Sequence, residues 1–355
     1  MRILDRYIGF TIAYSTVFVL LVLVALFTFF NFAGELNKTG RGDYDMLQAA
    51  QFVFFNIPTM LYQIFPAAAL IGTMSGLGML ANNSELVAMR AAGYTLGNIL
   101  RSVFIFAFVL VLIVAVVGEY LAPISRTYAE VQRNQALSGK KLLSSREGVW
   151  LRDGDKFIYI EKITDDGRLL NVNTYQLNDK QKLMELSQIA NAANLNGDTW
   201  LLSDLQRFQV QGDDIAIKQY EMQKKDKFLS PQVLELVSVK PETMSALTAY
   251  EYVKYLEKND VDARHYKQVF WMKLATPFAT FVMVLLAIPI IMGSVRSMTA
   301  GHRILIGTLT GIGFYLLSQV FAYMGLVFEI APALTAFLPV VAFSFVAFYL
   351  MKRVR

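Results

Sequence analysis

The chain has no cysteine, only two histidines, and few charged residues: Asp, Glu, Lys and Arg make up 17% of its 355 positions. The lack of cysteine excludes a disulfide framework and any thiolate metal site. His265 and His302 are far apart and neither stands in an H-E-x-x-H pattern, so the familiar zinc-hydrolase signature is missing. No G-x-x-x-x-G-K-[ST] phosphate loop occurs; SGKKLLSS at 138–145 lacks the first glycine. There is no G-x-S-x-G nucleophile elbow either. Asp153, Asp155, Asp165, Asp166, Asp213 and Asp214 stand in turn-rich stretches, where turn chemistry accounts for them. The expectation is a chain that is not an enzyme and binds no metal or cofactor itself.

What is abundant is apolar. Hydrophobic residues make up 55% of the sequence, and the mean hydropathy is +0.42, which places the chain among integral membrane proteins. Residues 7–34, 46–84, 274–295, 304–328 and 330–351 hold no charged side chain, and 102–121 is interrupted only by Glu119. Each is long enough to cross about 30 Å of hydrocarbon. The run 46–84 contains Pro58 and Pro66, so it reads as an interfacial stretch leading into one span at about 59–81. Six spans result. One set of flanking segments carries Arg2, Arg6, Arg90, Arg101, Arg296, Arg303, Lys352, Arg353 and Arg355 against only Asp5 and Glu85. The positive-inside bias puts both termini in the cytoplasm and the long middle segment outside. The first span has no small-residue cleavage site and is expected to be retained.

The middle segment, 123–240, is polar and alternating. GVWLR, KFIYIEKI, RLLNVNTYQL, KLMELSQIANAANL, TWLLSDLQRFQV and DIAIKQYEM read as strands separated by Gly/Asn/Asp turns. They predict an all-β, jellyroll-like domain inserted between the third and fourth spans. Its interior is either a packed core or an apolar trough for a lipid, since both use the same residues. Residues 241–268 turn helical, with Ser245 as a cap and Tyr250, Tyr255, Tyr266 and Trp271 suited to a membrane interface. The division is thus 1–122 (spans 1–3), 123–240 (β), 241–268 (connector) and 269–355 (spans 4–6).

Between the second and third spans lies NNSELVAMRAAG, residues 82–93. It is a short helix with Ser84 as N-cap, Glu85 in the first turn, Arg90 near the end and Gly93 as left-handed stop. Leu86, Val87 and Met89 are apolar anchors for the groove of a partner, in this case a soluble ATPase; an ordinary interfacial helix fits the same residues. Polar residues inside the spans are few (Asn31, Gln63, Ser318, Gln319), and Glu119 and Glu329 fall at the outer ends, which disfavours an ion-coupled carrier. Gly72/Gly76 and Gly307/Gly311 suit close helix packing. A membrane-tethered scaffold or sensor and an independent secondary carrier remain as alternatives.

LDRYIGFTI, FPAAALIGTMSGLGMLANNSELVAMRAAG, GEYLAP, GVWLRDGDKFIYI, YVKYLEKNDVDARHYKQVFWMK and GSVRSMTAGHRILIGTLTG occur in order along the chain. Together they resemble the lipopolysaccharide-export permeases of the LptF/LptG family, and are more similar to its LptG branch. The resemblance implies six spans with a periplasmic β-jellyroll in the inner membrane of a bacterium. It also implies an LptF-like permease partner, an LptB-like ATPase dimer that holds ATP and Mg, and an LptC-like single-span protein. The implied substrate is lipopolysaccharide, drawn laterally from the outer leaflet and extruded toward a periplasmic bridge. Residues 84–93 correspond to the coupling helix, with Ser84, Glu85, Leu86, Met89 and Arg90 at the ATPase contact. Lys38 and Arg133 match basic positions that face the anionic lipid, and Arg41 and Arg126 lie nearby. Where many relatives carry further lysines, this chain has Asn31 and Thr59. Phe18, Phe29 and Phe32 of the first span and Phe314 and Phe321 of the fifth are the expected acyl-chain contacts.

Overall fold

The computed structural model describes residues 3–138, 142–143, 148–153, 155–164, 167–177, 182–195, 199–211, 214–226, 228–229, 241–292 and 300–354. The stretch 230–240, several of the expected turns, and Arg2, Arg296 and Arg355 lie outside them. The helices are α1 (Ile3–Leu36), α2 (Met46–Asn82), α3 (Glu85–Ala91), α4 (Leu96–Val116), α5 (Ala122–Ser138), α6 (Ala246–Lys258), α7 (Arg264–Met292), α8 (Ala300–Val327) and α9 (Pro332–Val354). Six are long and apolar enough to cross a membrane: α1, α2, the α4–α5 rod, α7, α8 and α9.

The second span is longer than its hydropathy suggests. In place of an interfacial stretch followed by a span at 59–81, α2 runs unbroken through Pro58 and Pro66. Its 37 residues reach about 55 Å at 1.5 Å per residue, well past a ~30 Å hydrocarbon core. The start is set by a capping box: Asp45 Oδ1 accepts the Gln48 N–H at 2.9 Å, and Gln48 Oε1 accepts the Asp45 N–H at 2.6 Å. The third span also continues outward, through a π-turn at Val117–Leu121 into α5. Helix therefore persists to Ser138, and the first strand begins at Leu142.

Helix α2 is the most enclosed span, and α1 and α8 are the least. Both glycine pairs lie on the seams that join these three. A Cβ at Gly72 would come within 2.3 Å of Thr16 Cα on α1, and one at Gly311 within 2.8 Å of Ala67 Cβ on α2. Absence of side chains at these points lets the backbones approach closely. Ile8, Ile12, Leu70, Met74, Leu77, Ile99, Val103, Met283 and Ile288 form the main core between α1, α2, α4 and α7.

The six expected strands all form, as β2 (Val149–Asp153), β3 (Lys156–Thr164), β4 (Leu169–Leu177), β5 (Leu183–Asn194), β6 (Thr199–Gln211) and β7 (Asp214–Asp226). A short β1 (Leu142–Leu143) joins them. The sheet is antiparallel throughout: β3 to β7 pair in sequence order, and β1 and β2 both pair with β3. The inserted domain is all-β, as its alternation predicts. Its inner face holds Ile158, Ile160, Leu169, Val172, Ile189, Trp200, Leu202 and Leu205, covered by Phe228 and Leu229. Trp200 Nε1 donates to the Leu229 carbonyl at 2.8 Å. These side chains pack against one another, and the adjoining cavity of about 50 Å³, lined largely by polar residues, has room for only a few waters.

The connector ties the domain to the spans. Glu119, in the π-turn, accepts the N–H groups of Ala246 and Leu247 at 2.8 and 2.9 Å, and Ser245 Oγ accepts that of Thr248 at 3.0 Å. Three donors at the start of α6 are thereby satisfied. Tyr255 on α6 donates to the Arg152 carbonyl of β2 at 3.0 Å.

Candidate functional site

Two sites emerge at opposite ends of the helices. At the end bearing the β domain, residues 37–45 fold back onto α5. Gly42 has φ +57°, and a Cβ there would lie 2.6 Å from the Ala136 carbonyl oxygen, so the loop docks only with glycine at that point. Docking gathers charge around Glu35. Lys38 Nζ reaches Glu35 Oε1 at 2.7 Å, Arg133 Nε reaches Oε2 at 2.9 Å, and the Tyr44 hydroxyl donates to Oε2 at 3.1 Å. Two cations share one carboxylate, which leaves the cluster net positive. Burial, and then the Glu35 charge, push the Tyr44 phenol up to about 12.

Arg133 also lies over the Phe52 ring at 4.8 Å and lines a cleft of about 300 Å³ between α2 and α5. Phe55 and Tyr128 supply its apolar wall, and Gln48, Gln51, Gln132 and Gln135 its polar one, with Asp43 as the acidic group opposite Arg133 in charge. Arg126 donates to Asn56 Oδ1 at 2.9 Å and pairs with Glu130 at 3.3 Å. Arg41 is exposed in the loop. Lys38 and Arg133 are thus brought together, while Arg126 is held to its own partners about two turns nearer the spans. Asn31 bonds locally to the Phe27 carbonyl at 2.9 Å, and Thr59 is buried against the Ala122 carbonyl at 3.3 Å. Neither position is a replacement rim group.

At the other end, α3 ends as its sequence predicts, with Gly93 at φ +85°. Its start differs. Ser84 occupies the N-cap position at φ 60°, ψ 10° and makes no side-chain capping bond; at that left-handed backbone its hydroxyl is not directed at the first turn. Glu85 is held instead, by the Tyr7 hydroxyl of α1 at 2.8 Å and by Asn83 Nδ2 at 3.1 Å. Leu86 and Met89, expected as anchors for a partner, are buried in this chain's own core. The seven-residue helix has a single apolar stripe, and the spans take it. Ser84, Val87, Ala88, Arg90 and Ala91 form the open face.

The family described as "Lipopolysaccharide export system permease LptF/LptG" matches residues 6–353. The chain belongs to the LptF/LptG permease family. The Lipopolysaccharide export system permease protein LptG of Escherichia coli (strain K12) is 35% identical over 358 residues, covering 99% of this chain and 98% of that protein. The Haemophilus influenzae protein of the same name is 33% identical over 354 residues, covering 99% of each.

In this permease, Phe18 and Phe29 project from the open face of α1, in company with Tyr14, Leu21 and Phe30. Phe32 and Phe321 are half-buried. Phe314 is likewise half-buried, edge-on to Phe343 of α9 at 5.2 Å, and packs against two core clusters. The exposed side chains of α8 include Tyr315, Leu316 and Tyr323. Sequence reasoning missed Glu35 and Tyr44 in the rim. The signal was present: Glu35 is three residues before Lys38 on a helix end, the spacing of an ion pair.

Proposed function

We propose that this chain is the LptG-type half of a lipopolysaccharide exporter in the bacterial inner membrane. Family membership over 6–353 carries the reading, supported by the pairing of Lys38 and Arg133 on Glu35 at the end of α1, whose apolar face is open. Both termini and α3 face the cytoplasm, and the β domain faces the periplasm, as the basic bias requires. An LptF-like permease covers the open faces of α1 and α8 and encloses the cavity, and an LptC-like single-span protein completes the membrane assembly. An LptB-like ATPase dimer holds ATP and Mg and docks on α3, and the chain itself supplies no catalysis.

The phosphates of the lipid's anionic headgroup approach Lys38 and Arg133, displacing Glu35 as their partner, with exposed Arg41 at the entrance. Charge-assisted bonds to phosphate gain from the geometry of the guanidinium. The acyl chains lie along Phe18 and Phe29, beside half-buried Phe32 and Phe321. Closing the cavity returns Glu35 to both cations and releases the headgroup. Changing Lys38 and Arg133 together to Glu lowers photocrosslinking of lipopolysaccharide in the assembled complex. Crosslinking at wild-type yield across all salt concentrations contradicts the assignment.

A further inference from the structure

Two polar clamps flank α3, and neither lies on the face that a partner would touch. On one side Tyr94, the residue after Gly93, donates to Asp5 Oδ1 of α1 at 2.5 Å. Ser102 of α4 donates to the same oxygen at 2.7 Å, with its hydroxyl 2.8 Å from that of Tyr94. All three side chains are buried. Tyr7 adds the bond to Glu85 from the next part of the same helix. On the other side Arg303 of α8, only 2% exposed, donates to the Gly78 carbonyl at 2.6 Å and to Asn82 Oδ1 at 2.8 Å. These groups lie in the last turn of α2, the helix end that carries partial negative charge. Asn83, the next residue, bonds Glu85.

Taking a carboxylate and a guanidinium out of water offsets much of what their hydrogen bonds to neutral partners contribute. What they do is fix one arrangement, since either group left unpaired is strongly unfavourable. Here the fixed arrangement joins the residues that flank α3, Tyr94 after it and Asn82 before it, to α1 and to α8, the two least enclosed spans. Their seams with α2 run past Gly72 and Gly311, which offer little side-chain interlock to resist sliding. We infer that Asp5, Tyr94, Ser102 and Arg303 are positioning residues that bind the two flanks of α3, at Asn82 and Tyr94, to the ends of α8 and α1, so that displacement of α3 shifts both spans together.

The inference rests on the proposed coupling role of α3. Its test uses the complete complex in proteoliposomes, with Tyr94→Phe, Asp5→Asn and Arg303→Gln beside wild type. ATP hydrolysis, lipopolysaccharide release and copurification are measured on each. Hydrolysis stays near the wild-type rate while lipid released per ATP falls about fivefold or more, and Arg303→Lys recovers part of the loss. Hydrolysis and release that fall in proportion, an unchanged ratio, or failure of all variants to assemble would assign the clamps to stability alone and overturn the inference. The wild-type control separates the two layers: a wild-type complex that releases no lipid with ATP overturns the coupling reading itself, before any variant is scored.

Discussion

Glu35 sets the charge balance of the rim, because both Lys38 and Arg133 spend their charge on it. Glu35→Gln leaves both cations for the lipid phosphate. Partly exposed pairs contribute ~1 kcal/mol or less each, so crosslinked lipid should rise severalfold at most, with release slowed by tighter holding. A fall in crosslinking would contradict this balance. Tyr44 reports on the same cluster. The unfolded chain gives up a phenol proton near pH 10, whereas the folded chain keeps this one up to about 12. Its contribution is intact below pH ~10 and lost as pH rises toward the folded value. The phenolate absorbance difference between wild type and Tyr44→Phe should have its midpoint near 12; a midpoint near 10 would mean the hydroxyl is not held by burial. Gly72→Leu drives a side chain into the Thr16 backbone and should cost about 1–3 kcal/mol through overpacking, read as a lower midpoint of thermal unfolding in detergent.

Among the elements, strands were the most legible, since period-two alternation survives into a half-buried sheet, most plainly in β3. The length of α2 was not. Pro58 and Pro66 suggested a break, yet packing on both sides supports the helix through them, and the decisive signal was the Asp45–Gln48 capping box. For α3, the period showed an apolar stripe but not whether this chain or a partner covers it. Burial of Leu86 and Met89 separates two kinds of variant. Leu86→Asp damages the chain's own core, so assembled complex is lost. Val87→Asp and Arg90→Glu, on the open face, should leave the permease folded and weaken capture of the ATPase in copurification; undiminished capture would place docking elsewhere. The start of α6 offers an independent check. Glu119→Ala removes the acceptor for two N–H groups at a cost of about 0.5–2 kcal/mol. Amide exchange at Ala246 and Leu247 should accelerate, with little change in the sheet.

The whole molecule is one enclosed helix with two open neighbours. Helix α2 holds the centre, α1 and α8 expose long apolar faces on its flanks, and charge is gathered above one end and below the other. Six spans were readable from hydropathy, because bilayer thickness dictates span length. Which spans stay open was not, since every lipid-facing or partner-facing surface is equally apolar. Phe18, exposed on α1, and Phe314, half-buried against Phe343, show that residue type alone does not separate the two environments. The central claim, that energy received at α3 moves a phosphorylated lipid past the rim around Glu35, is tested most directly by lipopolysaccharide release from proteoliposomes holding the full complex. Release should require ATP, and should fall when Lys38 and Arg133 are both changed to Glu or when Glu85 is changed to Lys, with the complex still assembled in each case. Release that proceeds equally without ATP, or is untouched by both sets of changes in well-assembled complexes, would contradict the account.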